Sequence, residues 1–329
     1  MSLDIETAIS TGSVRDLRDH GIIFFDVDDT LLSRSGGREE TGESFSDSPA
    51  ATRLPKLLDR GFRIVIITGH ETEQLFRRLI GPLMSATATG LADLRVYTNR
   101  GGTGFSWDGR SFVEDHVYSA GFKLTPAELE GAVRIAAQVA DKFSSDIMQH
   151  SDRIVNDYPG FPIGEVPVKV TVRADTIVSA KPFPSSSHCL VETEASIRDT
   201  AVSDIEDLIG CEPGLSNLGV QAAGRGTIEI ALHSLSKTAA AGHAFERVAE
   251  GLGIPMQAIE HASIFVGDEF GINGNDRPLS EKFSGARCIS VAPLTERQQT
   301  PNNVINFSAN NSNIYSTAKL IDRLLQLSE

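Results

Sequence analysis

Short apolar runs with polar borders mark both ends of the chain, and a different rhythm fills its middle. Residues 22–27 (IIFFDV), 62–67 (FRIVII) and 263–266 (SIFV) are apolar without alternation and stop at small or acidic residues. Runs of that length predict strands buried on both faces of a parallel sheet. Residues 94–99 (LRVYTN) and 287–292 read as further strands. Between them lie a polar loop at 33–48, a helical Pro49–Arg60 stopped by Gly61, and a helix from beyond Gly69 to about Ile80. Residues 236–253 and Ile314–Leu327 complete the helical set. Buried strands alternating with helices predict an open, mostly parallel α/β sheet.

From about residue 115 the pattern changes. Thr125-Pro126-Ala127-Glu128 combines an N-cap, a first-turn proline and an acid, and Leu129, Val133, Ala136, Ala137 and Ala140 follow at helical spacing. Pro167–Ala174 alternates with period two, which predicts a half-solvated antiparallel strand. A helix over Ser196–Ile209 and strands at Leu218–Ala222 and Thr227–Ala231 follow. The expected organisation is a discontinuous α/β core, 1–114 plus 229–329, carrying an inserted α+β module at 115–228. A hairpin is expected around the lone Trp107.

A length of 329 residues fits two domains at roughly 150 residues each. Thirty Lys+Arg against 44 Asp+Glu leave a net charge of −14, which argues against a nucleic-acid binder. A small phosphorylated ligand stays compatible, because one bound cation reverses a local field. The three cysteines, Cys189, Cys211 and Cys288, are far apart and form no CxxC pair, so zinc and disulfide frameworks are not expected. Free thiols, an N-terminus (Met1–Glu6) without basic and apolar signal segments, and apolar runs too short to span a bilayer lead to an expected cytoplasmic, membrane-free location. Oligomeric state is not legible.

Four signals sit just past the ends of predicted buried strands or at a helix start, where open α/β sheets bind ligands. Asp26 and Asp28 alternate along an extended segment and can share one site, where their repulsion asks for a cation or a proton. Asp26 suits a nucleophile and metal ligand and Asp28 an acid/base; Asp28 or Asp29 also reads as a turn cap. Thr68, with the backbone N–H of Gly69 beside it, suits a phosphate oxygen and equally an ordinary helix cap. Lys237 opens a helix, a position where most lysines are solvated. The loop from Gly267-Asp268 to Gly274-Asn275-Asp276 suits a hard cation such as Mg²⁺, and such loops are also plain turns.

FFDVDDTLL, IITG, Ser236-Lys237 and GD…NGND, in that order, resemble the four motifs of the haloacid dehalogenase (HAD) superfamily of phosphotransferases. The position and make-up of the insertion resemble the C2-type cap of subclass IIB, which holds Cof-type sugar phosphatases, trehalose- and sucrose-phosphate phosphatases and phosphomannomutases. Tyr97–Gly102 also resembles the Asn-Gly segment before the cap in Cof-like members. The resemblance implies a Rossmann-like HAD core with a cap, and a Mg²⁺-dependent phosphomonoester hydrolase working through an aspartyl-phosphate. It implies Asp26 as nucleophile, Asp28 as acid then base, Thr68, Gly69 and Lys237 on the phosphoryl group, and Asp26, the Asp28 carbonyl and Asp268 on Mg²⁺. Asp276, supported by Asn275, would position Lys237 or a metal-bound water. Asp268 and Asp276 stand eight positions apart, unlike the compact GDxxND of many Cof-type members and more like phosphomannomutases, so Asn273, Asn275 or Asp276 completes the metal shell.

The implied partner is a small phosphorylated metabolite, with a sugar or polyol phosphate expected. A phosphomannomutase-like sugar phosphomutase is the second reading, favoured by the long last motif and opposed by the lack of an arginine-rich insertion. A non-catalytic binding protein on the same core is the third, opposed by the intact motif set. Lys169, Arg173, Lys181 and Arg225 are candidate substrate contacts or solvated charges. His70 reads as a substrate contact or as a polar helix-start residue. The sequons at Asn306 and Asn310 carry no weight in a cytosolic chain.

Overall fold

The computed structural model describes residues 9–33, 44–87, 89–149, 169–181, 191–223, 227–272, 274–292, 300–307 and 313–329. The strands, in chain order, are β1 (Ile23–Phe25), β2 (Ile64–Ile67), β3 (Leu94–Thr98), β4 (Thr103–Trp107), β5 (Phe112–Glu114), β6 (Lys169–Arg173), β7 (Ile177–Lys181), β8 (Leu218–Ala223), β9 (Thr227–Leu232), β10 (Ile264–Gly267), β11 (Arg287–Ser290) and β12 (Val304–Asn306). Eight form one sheet in the order β12-β11-β10-β1-β2-β3-β4-β5, parallel from β12 to β3 and antiparallel at β4 and β5. The remaining four form an antiparallel sheet, β6-β7-β9-β8.

Each apolar run works on both faces of the large sheet. Ile23, Phe25, Ile64, Ile66 and Val266 face a core completed by helices Thr11–Asp19, Leu54–Asp59 and Asn313–Leu327. Phe24, Val65, Ile67, Tyr97 and Phe265 face a second core under helices Lys237–Leu252 and Met256–Ala262. Phe24 stacks on Phe265, with ring centroids 4.4 Å apart, so β1 and β10 are locked by side chains as well as by their ladder. Gly61 ends its helix at φ +79°, as the stop signal required.

The described residues divide into two compact units, one holding those of 9–33, 44–119 and 236–329, the other those of 120–235. In the second unit, helices Pro126–Gln149 and Val191–Gly210 contribute to one apolar cluster with Val178, Ala180, Ile228 and Ile230 of the sheet. Thr125 and Glu128 cap the first of these reciprocally: the Thr125 N–H donates to Glu128 Oε2 at 2.8 Å, and the Glu128 N–H to Thr125 Oγ1 at 3.3 Å. The expected boundary at 228/229 falls inside β9. That strand pairs with β7 and β8, so its ladder carries the second unit through to residue 235.

Several elements go beyond the sequence reading. β7, β5 and β12 are strands too short or too mixed in pattern to stand out. The helix after Thr68 breaks into Thr72–Leu75, a π-helical turn at Phe76–Ile80, and Gly81–Ala86. β4 and β5 make the hairpin expected at Trp107, turning through Gly109 at φ +100°. Among the described residues no helix is long and apolar enough to cross a membrane.

Candidate active site

β1 lies at the centre of the sheet, and the chain proceeds outward from it in both directions, to β2 and β3 on one side and to β10, β11 and β12 on the other. The strand order thus reverses between β1 and β10, and such a switch point is where open α/β sheets form a ligand crevice. Asp26, Asp268 and Thr68 directly follow β1, β10 and β2. The Asp26 N–H donates to Val266 O at 3.1 Å, continuing the ladder one step beyond β1. A tight turn comes next. Leu31 and Leu32 both donate to the Val27 carbonyl at 2.9 Å, and Asp29 sits at φ +52°, a left-handed position that acidic and amide residues tolerate better than most.

Lys237 is the hub of the crevice. Its Nζ lies 3.0 Å from Asp26 Oδ1 and donates at 2.7 Å to Asp276 Oδ1 and at 2.7 Å to Asn275 Oδ1. Lys237, Asp26 and Asp276 are all buried. Local structure aims the lysine. Ser236 caps its helix, accepting from the Ala239 N–H at 3.1 Å. Gly101, at φ +97°, packs so closely on Ser236 that a Cβ would lie 2.8 Å from the Ser236 carbonyl oxygen. Asp276 is held from the other side by the Glu269 N–H, which donates to Oδ2 at 3.2 Å.

Asp28 Oδ1 lies 2.8 Å from His70 Nε2, and His70 Nδ1 lies 2.9 Å from Gln74 Oε1. The His70 N–H donates to Thr68 Oγ1 at 3.2 Å, and its carbonyl accepts from the Asn99 N–H at 2.9 Å. Thr68 is buried, and Gly69 beside it is exposed. His70, read from sequence as a substrate contact or a helix-start residue, thus bridges the loops after β1 and β2. Its only sequence signal is the i, i+4 spacing to Gln74.

Charge is unevenly shared. Carboxylate oxygens of Asp26, Asp268 and Asp276 all lie within 4.8 Å of one another, so among these side chains and Lys237 carboxylates outnumber ammonium three to one. Burial first, then the charges of Asp276 and Asp28, push Asp26 up to about 7 against the pull of Lys237. Burial acts to lower Lys237, but Asp26 and Asp276 together outweigh it and hold the ammonium firmly protonated. A crowded, oxygen-only donor set beside a buried carboxyl held high fits a hard divalent cation such as Mg²⁺.

Other residues singled out in the sequence divide clearly. Arg173 forms an ion pair with buried Glu229 inside the small sheet, rather than standing as a solvated charge. Lys169 and Lys181 are register partners across β6 and β7. Arg225, Asn273 and Cys189 lie outside the described residues, as does Ser308 of the first sequon and all of the second.

No protein-family model matches the chain, and no curated protein matches it in sequence. Solved structures do. The C-terminally truncated IMP-nucleotidase of Plasmodium falciparum is 14% identical, with 96% of this chain and 74% of that one covered at a TM-score of 0.58. A trehalose-6-phosphate phosphatase of Aspergillus fumigatus is 11% identical, with 99% and 100% covered at a TM-score of 0.53. The chain shares the fold of these two proteins. In this chain, all four motif segments named in the sequence converge on one sheet edge: Asp26 and Asp28 after β1, Thr68 after β2, Lys237 at its helix start, and Asp268 to Asp276 after β10.

Proposed function

We propose that the protein is a Mg²⁺-dependent phosphomonoester hydrolase that passes the phosphoryl group through Asp26. The observation that carries the reading is the buried ion-pair set of Lys237 with Asp26 and Asp276 at the switch point of the sheet, with the Asp28 and Thr68 side chains on the neighbouring loops. Likeness of fold to a nucleotidase and a sugar-phosphate phosphatase supports phosphate-ester chemistry as the class.

The residues divide the work as follows. Asp26, when ionised, attacks phosphorus and becomes the aspartyl-phosphate. Lys237 and Thr68 take the phosphoryl oxygens and offset their charge, with Asp276 and Asn275 fixing the lysine. Asp28 gives its proton to the departing ester oxygen and later takes one from the water that hydrolyses the aspartyl-phosphate. Asp26, Asp268 and the Asp28 carbonyl would hold Mg²⁺; Asp276 and Asn275, engaged on Lys237, serve it through the lysine. When bound, the cation supplies charge neutralisation for the transferring group. The second unit serves as a C2-type cap that selects a small phosphorylated substrate, a sugar or polyol phosphate foremost.

The test is turnover of p-nitrophenyl phosphate with Mg²⁺ by the full chain and by Asp26→Asn. Activity in the first and its loss in the second are expected, since the amide keeps shape without the attacking charge; turnover surviving in the variant overturns the reading. Hexose 1-phosphates separate the mutase alternative, which is favoured by the long Asp268–Asp276 spacing: hydrolysis releases inorganic phosphate, a mutase forms hexose 6-phosphate.

A further inference from the structure

The His70 imidazole is held on both edges. Nε2 lies 2.8 Å from Asp28 Oδ1 and Nδ1 lies 2.9 Å from Gln74 Oε1, while the residue's backbone is tied to Thr68 and Asn99. An amide oxygen only accepts, so Nδ1 donates to Gln74, and the ring plane is set by contacts at both nitrogens. The His70 side chain is 10% exposed and that of Asp28 32%, so the histidine is the fixed partner and the carboxyl the group open to the crevice. Asp28 follows a β-strand of three residues and precedes a left-handed turn at Asp29. A carboxyl on such a loop rotates unless something holds it, and proton transfer is sensitive to that orientation.

We infer that His70, itself fixed by Gln74, is a positioning residue that aims the Asp28 carboxyl at the ester oxygen. This rests on the phosphatase reading above. In the step concerned, an Asp26 oxygen bonds to phosphorus and the ester P–O bond breaks with its electron pair passing to the ester oxygen. The proton of Asp28 moves to that oxygen, so a neutral alcohol departs and Asp28 is left as carboxylate. His70 neither gains nor loses a proton overall. Because Asp28 matters only as far as the leaving oxygen needs a proton, the value of His70 depends on the leaving group. A residue that merely supported the fold would affect all esters alike.

The experiment compares kcat/KM for p-nitrophenyl phosphate, whose phenolate departs without help, and for unsubstituted phenyl phosphate, whose leaving group gains from a proton. The full chain, His70→Ala, His70→Gln, Asp28→Asn and Asp26→Asn are measured with Mg²⁺. General-acid contributions of ~10²–10⁴-fold set the ceiling. His70→Ala is expected to lose about 10-fold or more on phenyl phosphate and far less on p-nitrophenyl phosphate, in the same direction as Asp28→Asn. His70→Gln, whose amide reaches the same carboxyl, is expected to recover most of the loss. Equal losses on both esters, or none on either, with an active parent overturn the inference while leaving the phosphatase reading intact. A parent inactive on both esters, or full activity in Asp26→Asn, overturns the phosphatase reading and this one with it. Thermal unfolding of each variant separates loss of folded protein from loss of rate.

Discussion

Gly267 lies against the carboxylate of Asp276 with no room between them for a side chain: a Cβ there would overlap Oδ2. The last residue of β10 thereby allows the acid to reach Lys237. Gly267→Ala is expected to displace Asp276, lower phosphatase turnover by at least about 10-fold, and destabilise the fold by roughly 1–3 kcal/mol as an overpacked site. Steady-state kinetics with denaturant unfolding checks both; unchanged values would mean the two residues separate without consequence.

The hub of three carboxylates and one ammonium makes a sharp prediction about cations. Lys237→Met leaves Asp26 and Asp276 buried without their cation, and breaking a buried pair in this way costs about 3–5 kcal/mol. Removing the lysine also removes a lowering influence on Asp26, so less of it is ionised near neutral pH. In the parent chain, Mg²⁺ is expected to raise the melting temperature in step with its concentration, and Asp268→Asn to weaken that response. Differential scanning calorimetry with and without a chelator reads this directly.

A pH effect is expected away from the crevice. His243 Nδ1 lies 2.9 Å from the Tyr97 hydroxyl, its ring stacks on Tyr118 with centroids 4.2 Å apart, and Asp115 Oδ2 is 3.6 Å from Nε2. Burial lowers its pKa below the usual 6.5, with Asp115 opposing. A depressed histidine contributes stability that is present above pH 6.5 and is lost as pH falls through its folded value. Stability should therefore decline on acidification below pH 6.5 in the parent, and less steeply in His243→Gln. Parallel declines in urea melts at pH 7 and pH 5.5 would count against this assignment.

Thiol chemistry gives a simple probe of the core. Cys288 is buried in β11 and its thiol is pushed up to about 12, first by burial and then by the charge of Asp276, whereas Cys211 is exposed. The unfolded thiol ionises near its reference value of 9.0, so the folded state loses stability as pH rises from about 9 toward 12. In a Cys189→Ser/Cys211→Ser chain, an aromatic disulfide reagent at pH 8 is expected to titrate no thiol while folded and one after unfolding. Rapid labelling of the folded chain would overturn this.

What the sequence revealed depended on distance along the chain. Buried-strand runs ending in Asp26, Thr68 and Asp268 were legible because the strand and the functional residue are contiguous. The link from His70 to Asp28 was not, since it depends on how the loops after β1 and β2 come together, which neither loop encodes alone. The pairing of β9 was hidden for a similar reason. TIEIAL alternates equally well for either sheet, and only its ladder with β7 and β8 decides the matter. Arg173 reads as a surface charge until Glu229, 56 residues away, is seen beside it.

Ile23 lies in parallel register with Ile64 on one side and with Ile264 on the other. The second partner emerges from the ribosome long after the first strand is made. Until then the nascent β1 has one bare edge, and so distant a pairing slows folding by the entropy of closing the intervening loop. Translation arrested before β10 would expose that edge to other chains, making premature termination a route to aggregation as well as to loss of activity.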